Sequence, residues 1–516
     1  MNGAESLVRT LLASEVDICF ANPGTSEMHF VAALDRVEGM RCVLGLAEGV
    51  VTGMADGYAR MAGKPAATLL HLGPGLGNGL ANLHNARKAF SPVVNIVGDH
   101  ASYHLQHDAP LTSDIEGIAR PVSDWVKRSD GAASLAADGA QAVAASRTGQ
   151  GGVATLILPA DAAWEEAAGP APRITPPPRR HPDPARIAEI AAILASGEEC
   201  LIHMTGDALQ EDCLQLAGRL QAHCGCRLSC PSSNGRWQRG AGRVAIERIE
   251  YPVDIALGQL ATVRHVILLG TRPPVAFFAY PDKPSLLLPD GCQLHRLADI
   301  HDDHQAALSA LVAACGAADT PPRLQPAEQP ALHTGPLTQQ AVAASLGLLM
   351  PENAIIADES VSSGRGFMPF TQGAARHDWL GVTGGSIGLG LAYATGAALA
   401  CPDRKVICTE GDGSAVYNLS ALWTQARENC DVVNIILNNA SYAILKGELA
   451  RVGVGNPGQT AHDMLTLDRP SLDWVALATG FGVPASCAET AEAFHHQLAE
   501  AISQPGPRLI DARLAG

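Results

Sequence analysis

The sequence is punctuated by short apolar runs that do not alternate with polar residues. They include RCVLGL (41–46), AATLLH (66–71), VVNIVGD (93–99) and VATLILP (153–159), then CLIHM (200–204), KVICT (405–409) and VVNIIL (432–437). An amphipathic strand with one wet face would alternate, so runs like these belong to strands buried on both faces. Ala- and Leu-rich stretches of helical length, such as Gly49–Met61, lie between them. Strand, helix and strand in that rhythm specify parallel sheets with helices packed on both sides. Two proline-rich stretches, Glu166–Pro184 and Gly316–Pro336, interrupt the rhythm and have the composition of stiff, exposed connections. The expectation is three doubly wound parallel-sheet α/β domains in series, at residues 1–165, 185–315 and 337–516.

Composition narrows the function. The 516 residues carry 36 Lys and Arg against 52 Asp and Glu, a net charge of −16. A chain this acidic repels phosphate backbones, so no nucleic-acid partner is expected. The N-terminus lacks the basic-then-apolar order of a signal peptide, and no apolar run is long enough to span a bilayer. Thirteen cysteines spread over a long chain read as reduced thiols. Together these predict a soluble cytoplasmic protein with no membrane partner.

Gly411-Asp412-Gly413 ends the strand KVICTE, and Asn438-Asn439 ends the strand VVNIIL after a helix-like stretch, Leu419–Glu428. An Asp carboxylate and an Asn amide are thereby expected at neighbouring carboxyl ends of one sheet, where open α/β sheets bind ligands. Both are hard oxygen donors suited to Mg²⁺ with diphosphate oxygens completing its shell. The glycines let backbone N–H groups come close to a phosphate.

Four further places carry candidate chemistry. Glu48, in LGLAEGVVTGMADGYAR, follows a strand and opens a helix; its plain reading is a first-turn acid that favours the helix dipole. His71 stands at a strand end before the glycine-rich stretch GPGLGNG, and its plain reading is a structural histidine. Asn22-Pro-Gly-Thr25-Ser-Glu27 reads as a turn followed by a capped helix. Thr383–Gly390 is a glycine-rich strand-to-helix turn, but Tyr393 stands where a dinucleotide fingerprint needs glycine. Cys224, Cys226 and Cys230 are expected on one strand, the first two on the same face, as packing rather than metal ligands. The stretch Leu445–Arg451 is expected to be an exposed helix near the site mouth.

Taken together, NPGTSE, AEGVVTGMADGYAR, GPGLGN, GGSIGLGLAYATGAAL and GDGSAVYNLSALW…IILNNASYAIL resemble the thiamine diphosphate enzymes, the superfamily of acetolactate synthase large subunits, pyruvate oxidases and benzoylformate decarboxylases. The resemblance runs from end to end. It implies a pyrimidine-binding domain first, a central domain, and a diphosphate-binding domain last. It implies that Asp412, Asn439 and the Ser441 carbonyl hold Mg²⁺, with Gly411, Gly413 and Ser414 along the diphosphate. Ile387 would wedge between the two cofactor rings, Gly385 would accept from the 4′-amino group, and Glu48 would hydrogen-bond the pyrimidine N1′. Thr25 and His71 would orient a 2-oxo acid substrate or move protons. Active sites would form between two chains, in a homodimer or homotetramer. Arg272–Tyr280 is aromatic and has no histidine where benzoylformate decarboxylases carry one, and the chain shows no flavin motif, so no FAD is expected. The implied reaction is loss of CO₂ from a 2-oxo acid, with release of an aldehyde or ligation to a second carbonyl. A dedicated acetolactate synthase subunit, a cofactor-binding homologue without turnover and a nicotinamide dehydrogenase on Rossmann-like sheets are the alternatives, and the failed glycine fingerprint counts against the last.

Overall fold

The computed structural model describes residues 1–515; residue 516, the expected end of the third segment, lies outside them. Three sheets carry the chain. The first has six parallel strands in the spatial order Arg41–Leu44, Ile18–Asn22, Ala66–Leu70, Val93–Asp99, Val153–Pro159, Trp125–Arg128. The second runs Glu247–Arg248, Arg227–Cys230, Cys200–Met204, His265–Leu269, Gln293–Ala298, also parallel. The third has Ala485–Ala488, Arg508–Arg513, Val432–Asn438, Val406–Gly411, Ala354–Glu359 and His377–Gly381 in parallel. Its edge is completed by Trp237–Arg239, an antiparallel strand from the middle of the chain. The Arg239 guanidinium lies 4.9 Å from the Trp237 ring centroid and 5.2 Å from that of Trp379, which ties this strand to the sheet.

Strand periodicity divides the first sheet between two apolar layers. Cys19, Ala67, Leu69, Val94 and Ile96 pack on one face with Leu7, Leu11 and Phe30. Ile18, Phe20, Ala66, Leu70, Val93 and Val97 point to the other, into a layer shared with the third sheet's Ile355, Ala357, Val406 and Cys408. Two helices fill that shared layer, Glu48–Ala62 and Gly390–Ala400. Met54 and Tyr393, both fully buried, lie within it, and burying a side chain of this kind contributes about 1.5–3 kcal/mol. The helices touch backbone to backbone. A Cβ added at Gly57 would lie 2.0 Å from the Tyr393 carbonyl oxygen, and one at Gly396 would lie 2.0 Å from that of Met54. Among the described residues no helix is long and apolar enough to cross a membrane.

One expectation fails here. Cys224, Cys226 and Cys230 do not share a strand. Cys224 is the last residue of the helix Glu211–Cys224, Gly225 caps it in the left-handed region (φ 74°), and the strand starts only at Arg227. The glycine ends the helix within the segment read as strand.

Candidate functional site

The carboxyl ends of the first sheet gather one group of side chains. Glu48 opens the helix Glu48–Ala62. His71 follows the strand Ala66–Leu70 and sits at the N-cap of the helix Leu72–Lys88, so the glycine-rich stretch after it is already helical rather than a loop. Gly75 lies between them: a Cβ there would be 3.1 Å from Glu48 Oε1 and 3.3 Å from the His71 Cβ. Glu48 is half-buried and its Oε2 accepts a hydrogen bond from Asn78 Nδ2 at 3.1 Å. Thr25 is exposed, the first residue of a one-turn helix, and it is the next two residues that reach inward.

Glu27, 1% exposed, is the residue the sequence reading missed. Its Oε2 accepts from the Gly24 amide at 2.7 Å and meets His71 Nδ1 at 2.8 Å, while Ser26 Oγ donates to Oε1 at 2.5 Å. Assigning the Nδ1 proton to this contact leaves Nε2 as the lone-pair nitrogen of His71. Gly24 is required here, since a Cβ on it would fall 2.2 Å from His71 Nδ1. A carboxylate, an imidazole and a hydroxyl thus form one connected set.

The third sheet holds the other group. The strands Val406–Gly411 and Val432–Asn438 are neighbours in register, Gly411 beside Leu437, which places Asp412 and Asn439 at adjacent strand ends. Asp412 is 3% exposed. Burial pushes its carboxyl up to about 6, opposed by the backbone N–H groups of Gly413, Ala440, Ser441 and Asn439. The second half of the NN pair is released by the first: Asn438 Nδ2 turns into the sheet and donates to Asp511 Oδ1 at 2.9 Å. Asn439 Nδ2 donates to Ser363 Oγ at 3.3 Å. Asp412 Oδ2 and Asn439 Oδ1 are both buried without a hydrogen-bond partner. Buried oxygens rarely go unmatched, and two hard oxygens at neighbouring strand ends suit a cation. Ala440, with φ 49°, makes the turn that brings the Ser441 amide toward Asp412, and Ser441 Oγ donates to the Leu465 carbonyl at 2.9 Å. Among the described residues no group of three or more His, Cys, Asp or Glu could hold a metal alone. A cation here would therefore draw its remaining ligands from a guest such as a diphosphate.

The turn Thr383–Gly390 borders the same edge. Gly385 is exposed with φ 73°, Ile387 is half-buried, and the ring of Phe277, from the aromatic middle stretch, lies against Gly385. Ser414 Oγ is spent within the protein, on Glu410 Oε1 and on the Gly411 carbonyl at 3.1 Å. Leu445–Arg451 lies in the helix Ala443–Arg451, where Glu448 pairs with Arg451 at 2.5 Å and accepts from Tyr280 Oη at 2.8 Å. The first group and the third-sheet group are each internally assembled. Among the described residues no hydrogen bond joins Glu48 or His71 to Asp412, Asn439 or Ser441.

Residues 1–118 match the family described as thiamine pyrophosphate enzyme, N-terminal TPP binding domain, and residues 366–512 match its C-terminal TPP binding domain. The chain belongs to the thiamine pyrophosphate enzyme family. A Mycobacterium tuberculosis protein provisionally named acetolactate synthase large subunit IlvX is 50% identical over 512 residues, covering 99% of this chain and 98% of that one. The benzoylformate decarboxylase of Pseudomonas aeruginosa is 30% identical over 526 residues, covering 95% of each. The solved structure of a 4-hydroxybenzoylformate decarboxylase from Rhodococcus jostii superposes with a TM-score of 0.84 at 25% identity, covering 100% of this chain and 99% of that one. Thiamine diphosphate is the cofactor of this family and Mg²⁺ its usual companion. The two orphaned oxygens of Asp412 and Asn439 fit that pair.

Proposed function

We propose that this protein uses thiamine diphosphate and Mg²⁺ to decarboxylate a 2-oxo acid, releasing an aldehyde or joining the residue to a second carbonyl. The observation that carries the reading is the pair of unpartnered buried oxygens, Asp412 Oδ2 and Asn439 Oδ1, at a strand edge. Asp412, Asn439 and the Ser441 carbonyl would hold Mg²⁺, with Gly411, Gly413 and Ser414 against the diphosphate. Thiamine diphosphate, when bound, supplies the electron sink that accepts the electrons left when CO₂ departs. Glu48 would donate to the aminopyrimidine ring, Gly385 would accept from it, and Ile387 would wedge it against the thiazolium.

His71 is the candidate for moving protons at the substrate. Glu27 holds its Nδ1 at 2.8 Å, so Nε2 stays available to take a proton and return it. Thr25 is a candidate substrate contact at the mouth. Phe277 against Gly385 supplies an aromatic wall where benzoylformate decarboxylases carry a histidine. On this reading, as the family resemblance implies, the site is completed by a second chain, in a homodimer or homotetramer. A dedicated acetolactate synthase is the second reading, supported by the 50% identical relative.

Mass spectrometry of products from a panel of 2-oxo acids, with and without an acceptor carbonyl, tests both. Aldehyde without acceptor supports the decarboxylase, and acetohydroxy acid from every productive pairing supports the synthase. No CO₂ from any acid in the presence of both cofactors would defeat the two together.

A further inference from the structure

Ile387 stands between two clamps that come from different parts of the chain. On one side Asn85, fully buried on the helix Leu72–Lys88, grips the neighbouring residue twice. Its Nδ2 donates to the Ser386 carbonyl at 2.8 Å, and its Oδ1 accepts from the Ser386 amide at 3.3 Å. The Asn85 carbonyl takes the Thr383 hydroxyl at 2.9 Å, and His84 Nε2 meets the Gly384 carbonyl at 3.1 Å. On the other side Glu359, 2% exposed at the end of the strand Ala354–Glu359, turns both oxygens onto the turn. Oε1 accepts from the Gly388 amide at 2.6 Å and Oε2 from the Gly390 amide. Asn418 Nδ2 then pins the Gly388 carbonyl at 2.5 Å.

Successive amides converging on one anion form a nest, which only a left-handed residue among them allows. Gly388, with φ 95°, is that residue, and a Cβ on it would strike Tyr417 at 2.5 Å. Burial pushes the Glu359 carboxyl up to about 7, and the amides of Gly388, Gly390 and Leu389 oppose that shift by favouring its ionised form. The glycine turn and Glu359 therefore hold each other in shape. Ile387 is branched at Cβ and stiff at χ1, so once its backbone is fixed from both sides its side chain has little freedom left.

We propose that Asn85 and Glu359 are positioning residues, which act through Ser386, Gly388 and Gly390 to hold Ile387 where it can fix the angle between the cofactor's rings. This rests on the thiamine diphosphate reading of the site. Among the described residues no hydrogen bond joins the Asn85 or Glu359 side chain to Gly411, Asp412, Gly413, Ser414, Asn439 or Ser441, so their loss alters the geometry of the bound cofactor more than its retention.

The test uses the full chain carrying Asn85→Ala, Glu359→Gln or Ile387→Ala, with Glu48→Gln as reference. Four quantities are read: thermal midpoint, affinity for thiamine diphosphate with Mg²⁺ by calorimetry, C2–H exchange of the bound cofactor by NMR, and amide exchange of the cofactor-free protein. Asn85→Ala and Glu359→Gln should each keep affinity within about threefold but slow C2–H exchange roughly tenfold, as small misplacements do. Combining either with Ile387→Ala should add no further loss, since all three act on one position. In the cofactor-free protein, Glu359→Gln should speed amide exchange at Gly388 and Gly390. Glu359→Gln keeps the side chain's size, and Asn85→Ala reports independently should that variant not fold. Wild-type C2–H exchange in folded variants, losses that multiply with Ile387→Ala, or lost affinity with unchanged exchange per bound cofactor would each overturn the clamp. If the wild-type protein does not bind thiamine diphosphate with Mg²⁺, the cofactor reading itself fails; if it binds and Glu48→Gln stops exchange while the clamp variants do not, only the clamp fails.

Discussion

The two halves of the site differ in how they settle their polar atoms. At the first sheet, Glu27 satisfies His71, Ser26 and the Gly24 amide within the chain, and Glu48 has Asn78. At the third sheet, Asp412 and Asn439 each keep one buried oxygen without a partner. The first arrangement is complete before any guest arrives and is fit to handle protons. On the proposed reading the second is a socket whose polar atoms would be matched by an entering cation. That difference separates variants that impair chemistry from variants that impair loading.

The largest expected effect lies on the complete side. Glu48→Gln should slow C2–H exchange of bound thiamine diphosphate about a hundredfold or more, the range of a lost acid–base group, while the cofactor still binds. Loss of binding instead would place Glu48 in the socket and erase the contrast. On the socket side, Asp412→Ala should weaken Mg²⁺-dependent cofactor binding by at least the ~10–100-fold that loss of a ligand's supporting partner costs. Chelation of Mg²⁺ should mimic it, and binding that survives both would remove the metal from the site. His71→Ala should lower turnover by roughly tenfold, at the weak end for proton transfer, with C2–H exchange unchanged and the ratio of aldehyde to ligated product altered. A variant that melts earlier but keeps turnover and product ratio would make His71 a structural residue.

The smallest effect sharpens the comparison from outside the site. His203 is buried against Ser229 Oγ at 2.8 Å with no carboxylate beside it, and burial lowers its pKa from 6.5 to about 4. Below pH 6.5 the unfolded chain takes up a proton there that the folded chain refuses. Stability is therefore full above that value and falls as pH drops toward 4, by up to about 1.4 kcal/mol per pH unit. His203→Gln should flatten that acid slope in denaturant melts measured from pH 7 to 5. An unchanged slope would assign the loss to other groups.

Legibility in the sequence followed how local the signal was. Asp412 and Asn439 are marked by strands that end beside glycine or asparagine pairs, and Glu48 by a strand-to-helix junction, so neighbouring residues suffice to place them. Glu27 looked like any acid early in a helix; it is buried because distant His71 folds over Gly24. Glu359 carries no local mark, because the amides that receive it lie some thirty residues on, in Thr383–Gly390. Cys224 and Cys226 misled because the run around them is apolar enough for a strand, whereas Gly225 ends a helix there. Trp237–Arg239 joins the third sheet by pairing with residues far along the chain, which periodicity does not register.

The close crossing of Glu48–Ala62 with Gly390–Ala400 bears on how the protein can be cut and recombined. The proline-rich chain 166–183 carries no regular element, but Ser6 Oγ donates to the Gly169 carbonyl and the Ala171 amide to Thr10 Oγ1, and it is not a seam of the fold. A fragment ending there would strip Val50, Val51 and Met54 of the layer they share with Leu391, Ala392 and Tyr393. Exchange of one unit between homologues would have to carry a glycine at position 57 to meet Tyr393, and one at 396 to meet Met54. The first and third units therefore have to be exchanged as a pair, although the whole middle unit lies between them in the chain.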